Sequence, residues 1–357
     1  MCRPASRQAA GLVLAASLGM PAPAPASEEN SVRLYRTREE QREAGLARQL
    51  APWLTASSLF EAEGSKQRIS VDDARHVSRS ESTASLQLGL AATPLESLKA
   101  ELVLEYDTDV DKLRADEYIV AVQLGDWELA VGKQYLPLGE YFSRFVSGPI
   151  LEFGETRDTA ATLAYDFSDR LDASVSLYQG VAREVDSTGS DLDWTFALEA
   201  WPRADLSFGI SFQTDLADSD ERLLADQDNR FVRKVPGLSG YLLWIGEHVE
   251  VTFEALAATR SFREFESDRD QPSAWNLELA LFVHPKVDLA LRIEGSRELE
   301  DAPRTQFGAA ATFLLHRNAT LTLELLHARF DGDLAADDDD NPFSHSNRIG
   351  ALLSVAF

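Results

Sequence analysis

Apolar and polar residues alternate along most of the chain, from Trp53 to the last residue. The stretch 98–105 reads LKAELVLE, 206–213 reads LSFGISFQ and 287–294 reads VDLALRIE. A period of two places successive side chains on opposite faces of a β-strand. Segments of about ten residues with this period, separated by turn residues, are typical of β-barrels that span a membrane. The pattern therefore predicts an all-β protein.

The alternating segments and their connections predict a closed antiparallel barrel of about sixteen strands. Connections after even-numbered segments are short and those after odd-numbered segments are mostly long and acidic, as expected for short periplasmic turns and long outer loops. The predicted strands are 52–64, 81–92, 98–107, 116–124, 126–134, 158–167, 171–181, 191–201, 204–213, 237–246, 248–259, 273–283, 286–296, 305–315, 318–330 and 346–357.

The alternation also predicts what each face of the barrel carries. If the apolar positions face lipid, the polar positions line the lumen, and a sixteen-stranded barrel leaves an aqueous channel. Carboxylates in such a lumen favour cationic or neutral solutes; the alternative is no preference. Aromatic residues near strand ends, Phe282 among them, fit an interfacial girdle. The candidate lumen carboxylates are Glu61, Glu101, Glu105, Glu199, Glu254, Glu278, Glu294 and Glu324.

The two ends of the chain predict export to the outer membrane of a Gram-negative cell. Residues 1–26 combine two arginines, an apolar run and a small-residue cleavage site, which is typical of a cleaved signal peptide. Residues 27–51 are predicted to form a short periplasmic arm, either helical or a solvated lead-in, and residues 52–357 form the barrel. An alternating last strand that ends in Phe357 resembles the address that the barrel assembly machinery reads.

Composition excludes several classes of function. Removing Arg3 and Arg7 with the signal peptide leaves 32 basic residues against 59 acidic ones, a formal charge of −27. Such a surface does not favour nucleic acid, whose binding depends on Lys and Arg. The only cysteine, Cys2, is also removed, so a disulfide framework and thiolate chemistry are excluded.

The sequence lacks the motifs of catalytic and cofactor sites, which predicts a protein that is not an enzyme and needs no cofactor. The six histidines show no metal-binding spacing, and the sequence has neither a G-x-S-x-G element nor a glycine-rich phosphate loop. Barrel hydrolases with a Ser/His pair exist, but no nucleophile with an adjacent acid–base partner emerges. The outer-loop run Asp337, Asp338, Asp339 and Asp340 is a weak candidate for binding a divalent cation that bridges lipopolysaccharide, and otherwise a solvated loop.

The stretch Gly132–Asp158, GKQYLPLGEYFSRFVSGPILEFGETRD, differs from every other connection. It holds aromatic residues, two prolines, four glycines and charges of both signs, and long ordered loops of this kind are usually functional. It follows the fifth segment, so it is the third outer loop. It either folds inward as a constriction or packs as a lid on neighbouring loops. The candidate constriction residues are Lys133, Tyr135, Glu140, Arg144, Glu152, Glu155 and Arg157.

Two parts of the sequence resemble the LbtU family of siderophore porins. They are APWLTASSLFEAE at 51–63 and the elements GKQYLPLGEY and SGPILEFGETRDTA within 132–160. The first matches a Pro-Trp opening strand, with Ser58 where the family pattern has glycine. The second matches a long loop marked by G-K-x-x-x-P-x-G and by a later Gly-Glu-Thr-Arg. The resemblance implies outer-membrane uptake of a ferric siderophore, and thus iron uptake, without a large plug domain.

Three functional hypotheses remain open from the sequence. The first is a siderophore porin, the second a porin for general or other nutrients, and the third a structural or enzymatic barrel. The expected partners are outer-membrane lipids, lipopolysaccharide, the assembly machinery and a siderophore or small solute. A homotrimer is also compatible with the sequence.

Overall fold

The structure, a computed structural model, describes residues 48–70, 76–186, 189, 192–219, 223–224, 228–265, 270–332, 334–336 and 342–357. Within these residues, sixteen antiparallel strands pair in sequence order, and the last pairs with the first. The predicted closed barrel of sixteen strands is confirmed. Its strands are β1 (Leu54–Ser70), β2 (His76–Leu95), β3 (Leu98–Asp107), β4 (Lys112–Leu124), β5 (Trp127–Tyr135), β6 (Arg157–Ser168), β7 (Leu171–Gln179), β8 (Leu192–Arg203), β9 (Leu206–Gln213), β10 (Gly237–Ile245), β11 (Val249–Ala258), β12 (Ser273–His284), β13 (Val287–Arg297), β14 (Thr305–His316), β15 (Ala319–Arg329) and β16 (His345–Ala356).

A few small elements lie outside the barrel wall. Arg48–Ala51 forms a short strand that pairs with the start of β1, and residues 1–47, with the predicted signal peptide and most of the arm, lie outside the described residues. Two outer loops pair through Arg183–Glu184 and Arg230–Phe231. Helix α1 spans Pro149–Phe153, and a 3₁₀ turn spans Leu216–Asp218. Among the described residues, no helix is long and apolar enough to cross a membrane.

The two faces of the wall follow the alternation of the sequence. Outward positions expose large apolar side chains, such as Leu291 (54%) and Leu325 (58%). Their neighbours one residue away, Arg292 and Glu324, point inward and are buried. An outer surface of this kind is suited to lipid, and the inner surface is polar.

The outward face carries an aromatic cluster beside a short turn. The rings of Trp127 and Tyr165 lie 4.4 Å apart, and those of Tyr165 and Phe167 lie 4.8 Å apart. This cluster agrees with the expected girdle. Phe282 does not, because its ring is on the inward face and 5% exposed.

The first hairpin is longer than the alternation predicts. Residues 65–80 were expected to form an outer loop, but β1 continues to Ser70 and β2 begins at His76. The inward-facing Ile69 is fully buried against Ala335 and Phe343 of the last outer connection. Because the outward residues of this extension are polar, the apolar pattern that marks the other strands is missing there.

Candidate functional site

The connection between β5 and β6, residues 136–156, folds into the barrel, and we name it the inner loop. Its ends are held together because the Leu136 amide donates to the Thr156 carbonyl oxygen at 2.8 Å. Gly139 adopts a φ of +90°, and a Cβ atom there would collide with the carboxylate of Glu254. Glycine is therefore required where the chain turns from the rim onto the inner wall.

Wall carboxylates bind the backbone of the inner loop. Glu254 on β11 accepts from the amides of Glu140 (2.7 Å) and Tyr141 (3.0 Å). Glu278 on β12 accepts from the Arg144 amide (2.8 Å) and, through its other oxygen, from the Ser143 hydroxyl (2.6 Å). These carboxylates are 0% and 2% exposed. A loop without secondary structure must satisfy its backbone donors elsewhere, and here the wall supplies charged acceptors.

Backbone amides on either side of residues 140–144 also donate to side chains of the wall. The Gly139 amide donates to the Ser211 hydroxyl on β9 at 2.9 Å. The Val146 amide donates to Glu324 on β15 at 2.8 Å. The inner loop is therefore hydrogen-bonded to the wall from β9 to β15.

Arg144 reaches the deepest point of the inner loop. Its guanidinium lies 2.9 Å from Asp288 and 3.6 Å from Glu250, and its side chain is 4% exposed. Both carboxylates are the second residue of their strand, next to short turns. The ring of Phe282, which was expected in the girdle, lies 5.6 Å from the Arg144 guanidinium carbon. Arg144 therefore connects the inner loop to the end of the barrel opposite the long loops.

Two wall arginines also hold the inner loop. Arg292 on β13 donates to the Ser143 hydroxyl (3.0 Å) and to the Ser147 carbonyl oxygen, and its guanidinium lies 4.1 Å from the Phe145 ring. Arg348 on β16 donates to the Ser147 hydroxyl at 2.8 Å. Arg348 also pairs with Glu63 at 3.0 Å. These contacts place cations on the same wall as the carboxylates.

The second half of the inner loop packs with the outer loops. Helix α1 begins at Pro149, whose fixed φ suits the first helical turn. Ile150 and Phe153 are fully buried in an apolar core with Leu216, Leu256 and Phe262. The inner loop thus combines the two geometries that its sequence allowed, since its first half lines the wall and its helix forms part of a lid.

The candidate constriction residues do not lie together in one site. Arg157 forms an ion pair with Asp116, donates to the Tyr135 hydroxyl (2.9 Å) and stacks on that ring (5.0 Å). Lys133 has the outward parity of its strand, and its Nζ donates to the Ala115 carbonyl oxygen at 3.0 Å. Arg144 contacts neither Arg157 and its partners nor Lys133.

The two remaining glutamates of the loop lie near its end. Glu155 is buried directly after α1. Glu152 lies in α1, and its side chain is outside the described residues.

The candidate lumen carboxylates all lie on the inward face, but most are buried. Glu101 is half-buried and Glu254, Glu278 and Glu324 hold the inner loop. The other four bind wall side chains: Glu61 with Ser354, Glu105 with Arg114, Glu199 with Tyr241 and Glu294 with Arg292. The acidic wall therefore serves mainly as a set of hydrogen-bond acceptors.

Several residues of the site are not among the candidates that the alternation and the loop motif predict. Asp116 is the extra residue of a β-bulge in β4, which buries Asp116 and Glu117 side by side. The alternation of apolar and polar residues breaks at these two adjacent acids, and this break is the sequence feature that could have identified Asp116. Asp288 and Arg348 carry the inward parity of their strands and could have been found in the same way.

No metal site is formed by the described histidines and carboxylates. Asp337–Asp340, the weak candidate for a divalent cation, lies outside the described residues.

Comparison with solved structures identifies similar barrels. An anion-selective porin from Comamonas acidovorans matches with a TM-score of 0.60 and 11% identity, over 85% of this chain and 100% of that one. OprB of Pseudomonas putida at high pH matches with 0.59 and 10%, over 90% and 96%. The outer membrane channel DcaP of Acinetobacter baumannii matches with 0.58 and 13%, over 87% and 100%. At these identities the likeness establishes the fold. No protein-family description and no curated protein sequence matches the chain.

Proposed function

We propose that this protein is an outer-membrane channel through which small solutes diffuse, narrowed by its inner loop. The observation that carries the proposal is the attachment of that loop to the inward wall through Glu254, Glu278 and Glu324. A lid alone would not need buried acceptors along several strands of the barrel interior. The apolar outward face and the likeness to outer-membrane channels support this location.

Partly exposed arginines on the inward face define the side of the lumen that a solute meets. The Arg114 side chain is 29% exposed and its partner Glu105 is 4% exposed. Arg348 is 17% exposed and its partner Glu63 is 10% exposed. The solute path therefore runs along these two arginines, of which Arg348 also binds the inner loop through the Ser147 hydroxyl. Because the carboxylates are more buried than the arginines, we expect no strong preference for cations.

We propose a ferric siderophore as the solute, on the strength of the resemblance to siderophore porins. The residues that carry the resemblance, within 132–160, form the inner loop and its two flanking strands. A porin for other small nutrients is the alternative. Both share the channel, and they differ in which solute changes its behaviour.

Reconstitution in planar bilayers tests the channel. Stable conductance steps are expected, and three equal closing steps per insertion are expected of a homotrimer. If the purified, folded barrel gives no current, the channel proposal is wrong. Reversal potentials in a salt gradient then measure whether cations are preferred.

Uptake separates the two solute classes. Proteoliposomes are given a ferric siderophore, its iron-free form or a sugar of similar size, and osmotic swelling of the vesicles reports the entry of each solute. Faster entry of the ferric siderophore than of the other two solutes, absent in vesicles without protein, supports the first class. Entry of the sugar alone would leave the nutrient porin. Normal siderophore use by a deletion strain under iron limitation would also contradict siderophore uptake.

A further inference from the structure

Basic residues cluster on the outward face of four adjacent strands, β15, β16, β1 and β2, at the end where the long loops emerge. Strand pairing places these residues in two neighbouring rows. The upper row is Thr305, Arg329, His345, Ser70 and His76, and the lower row is Phe307, His327, Asn347, Arg68 and Ser78. Lys66 lies one outward position below Arg68. We name Lys66, Arg68, His76, His327, Arg329 and His345 the basic band.

Among the described residues, the outward rows that hold the basic band contain no carboxylate, in a chain with 59 acidic residues. All six of its side chains are exposed. The acids nearest in sequence on these strands, Glu63, Glu81 and Glu324, have the opposite parity and belong to the inward face. The absence of acids is therefore specific to the outward surface.

The band lies directly above the apolar belt. The next outward row places Lys66 beside Ile349 and Leu325, which are 62% and 58% exposed. Below that row, Leu323 (44%) continues the apolar surface. A change from aliphatic to basic side chains over one or two residues marks the boundary between acyl chains and headgroups.

The geometry of the band suits phosphate oxygens. The His327 Nδ1 and the Asn347 Oδ1 atoms lie 3.0 Å apart, and the His327 and His345 rings are 6.2 Å apart. The hydroxyls of Ser78 and Ser80 follow on β2 with the same outward parity. Within the described part of the chain, Lys66, Arg68 and Arg329 form no ion pair with a carboxylate. Their charges are thus directed toward whatever adjoins the barrel.

We propose that the basic band binds the phosphorylated glycolipid headgroups of the outer leaflet, that is, the phosphates of lipopolysaccharide. Arginine binds phosphate through two parallel N–H donors, and the serine and histidine groups add further donors. The acyl chains of the same molecule would lie on the apolar belt around Leu325 and Ile349. This inference depends on the outer-membrane location in the proposed function but not on solute transport.

Binding is tested with the full barrel purified in detergent. The probes are diphosphoryl lipid A, its dephosphorylated form and inorganic phosphate, measured by native mass spectrometry and by microscale thermophoresis. We expect the dephosphorylated lipid to bind at least about tenfold more weakly, because charge-assisted hydrogen bonds are lost. Equal binding of the two lipids would overturn the proposal. Displacement of lipid A by inorganic phosphate at equal concentration would show a free-anion site and would also overturn it.

The double variant Arg68→Glu/Arg329→Glu should lose binding of diphosphoryl lipid A by at least about tenfold. Arg170→Glu/Lys286→Glu changes the charge equally at two exposed short turns and should bind like the wild type. Equal loss in both variants would indicate a general charge effect and would contradict the basic band. Conductance of the same samples separates the proposals, since the band variant should keep wild-type current.

Discussion

The ring of Phe145 rests against Gly308 in the wall of β14, where a Cβ atom would lie 2.5 Å from the ring. Ala280, Ala290 and Ala310 complete a socket of small side chains around the ring, which is fully buried. The guanidinium of Arg292 covers the ring at 4.1 Å. The inner loop is therefore anchored by one aromatic residue in addition to its backbone bonds.

Phe145→Ala should release this anchor. Truncating a buried phenylalanine costs about 3–5 kcal/mol where the surroundings cannot collapse, and the rigid wall of β14 limits collapse here. We expect a lower Tm and a larger single-channel conductance, because the loop leaves the wall. Phe307→Ala is the matched control, since Phe307 adjoins Gly308 in sequence but is 49% exposed on the outward face. The same conductance in both variants would contradict the anchor.

The strands could be predicted from the sequence because every second residue of a strand faces outward and is apolar along most of its length. The inner loop obeys no such repeat. The Glu140 amide bonds Glu254, which is 114 residues away, and no local pattern encodes that pairing. Gly308 and Ala310 are compatible with any strand, so the sequence does not show that Phe145 lies on them.

Parity would have improved the prediction of the site. Lys133 was selected because it lies in the loop motif, but it has the same parity as the exposed Val131 and Leu129, so its outward position follows from the alternation. Arg144 could not be placed in this way. Its position depends on the depth to which the loop descends, which is set by Asp288 and Glu250 on distant strands.

Glu278→Ala should detach the middle of the inner loop. It removes the acceptor of the Arg144 amide and of the Ser143 hydroxyl. Bonds to a charged acceptor contribute about 1.5–3 kcal/mol, so faster proteolysis of the loop and noisier open-channel current are expected. Glu101→Ala is the control, because Glu101 shares the inward face but is half-buried. A protease pattern identical to that of the control would exclude a positioning role for Glu278.

Arg144→Ala should destabilise the barrel. The substitution removes the guanidinium from Asp288 and Glu250, and breaking one side of a buried ion pair costs about 3–5 kcal/mol. Asp288→Asn in the same chain should recover part of the lost stability, because it removes a buried charge. Thermal unfolding of the four members of this double-mutant cycle measures the coupling, and additive effects would argue against the ion pair.

The outer loop between β9 and β10 should loosen as the pH rises. Asp215 and Asp218 lie in this loop, outside the strands, and burial raises their pKa values to about 7 and about 8. Asp218 accepts from the Ala182 amide at 2.8 Å, which joins this loop to the one after β7. The neighbouring charges are the carboxylate of Asp193 and the ammonium of Lys234, which lie 2.8 Å apart.

The sign follows from the protonation of the folded state. A carboxyl whose pKa is raised on folding contributes full stability below its unfolded pKa, near 4, and loses that contribution as the pH rises through the folded value. Protease cleavage within this loop should therefore accelerate between about pH 4 and pH 8 and then level off. Asp218→Asn keeps an acceptor for the Ala182 amide and removes the charge, so its cleavage should depend less on pH. Equal pH profiles for the wild type and Asp218→Asn would show that this carboxyl does not control the loop.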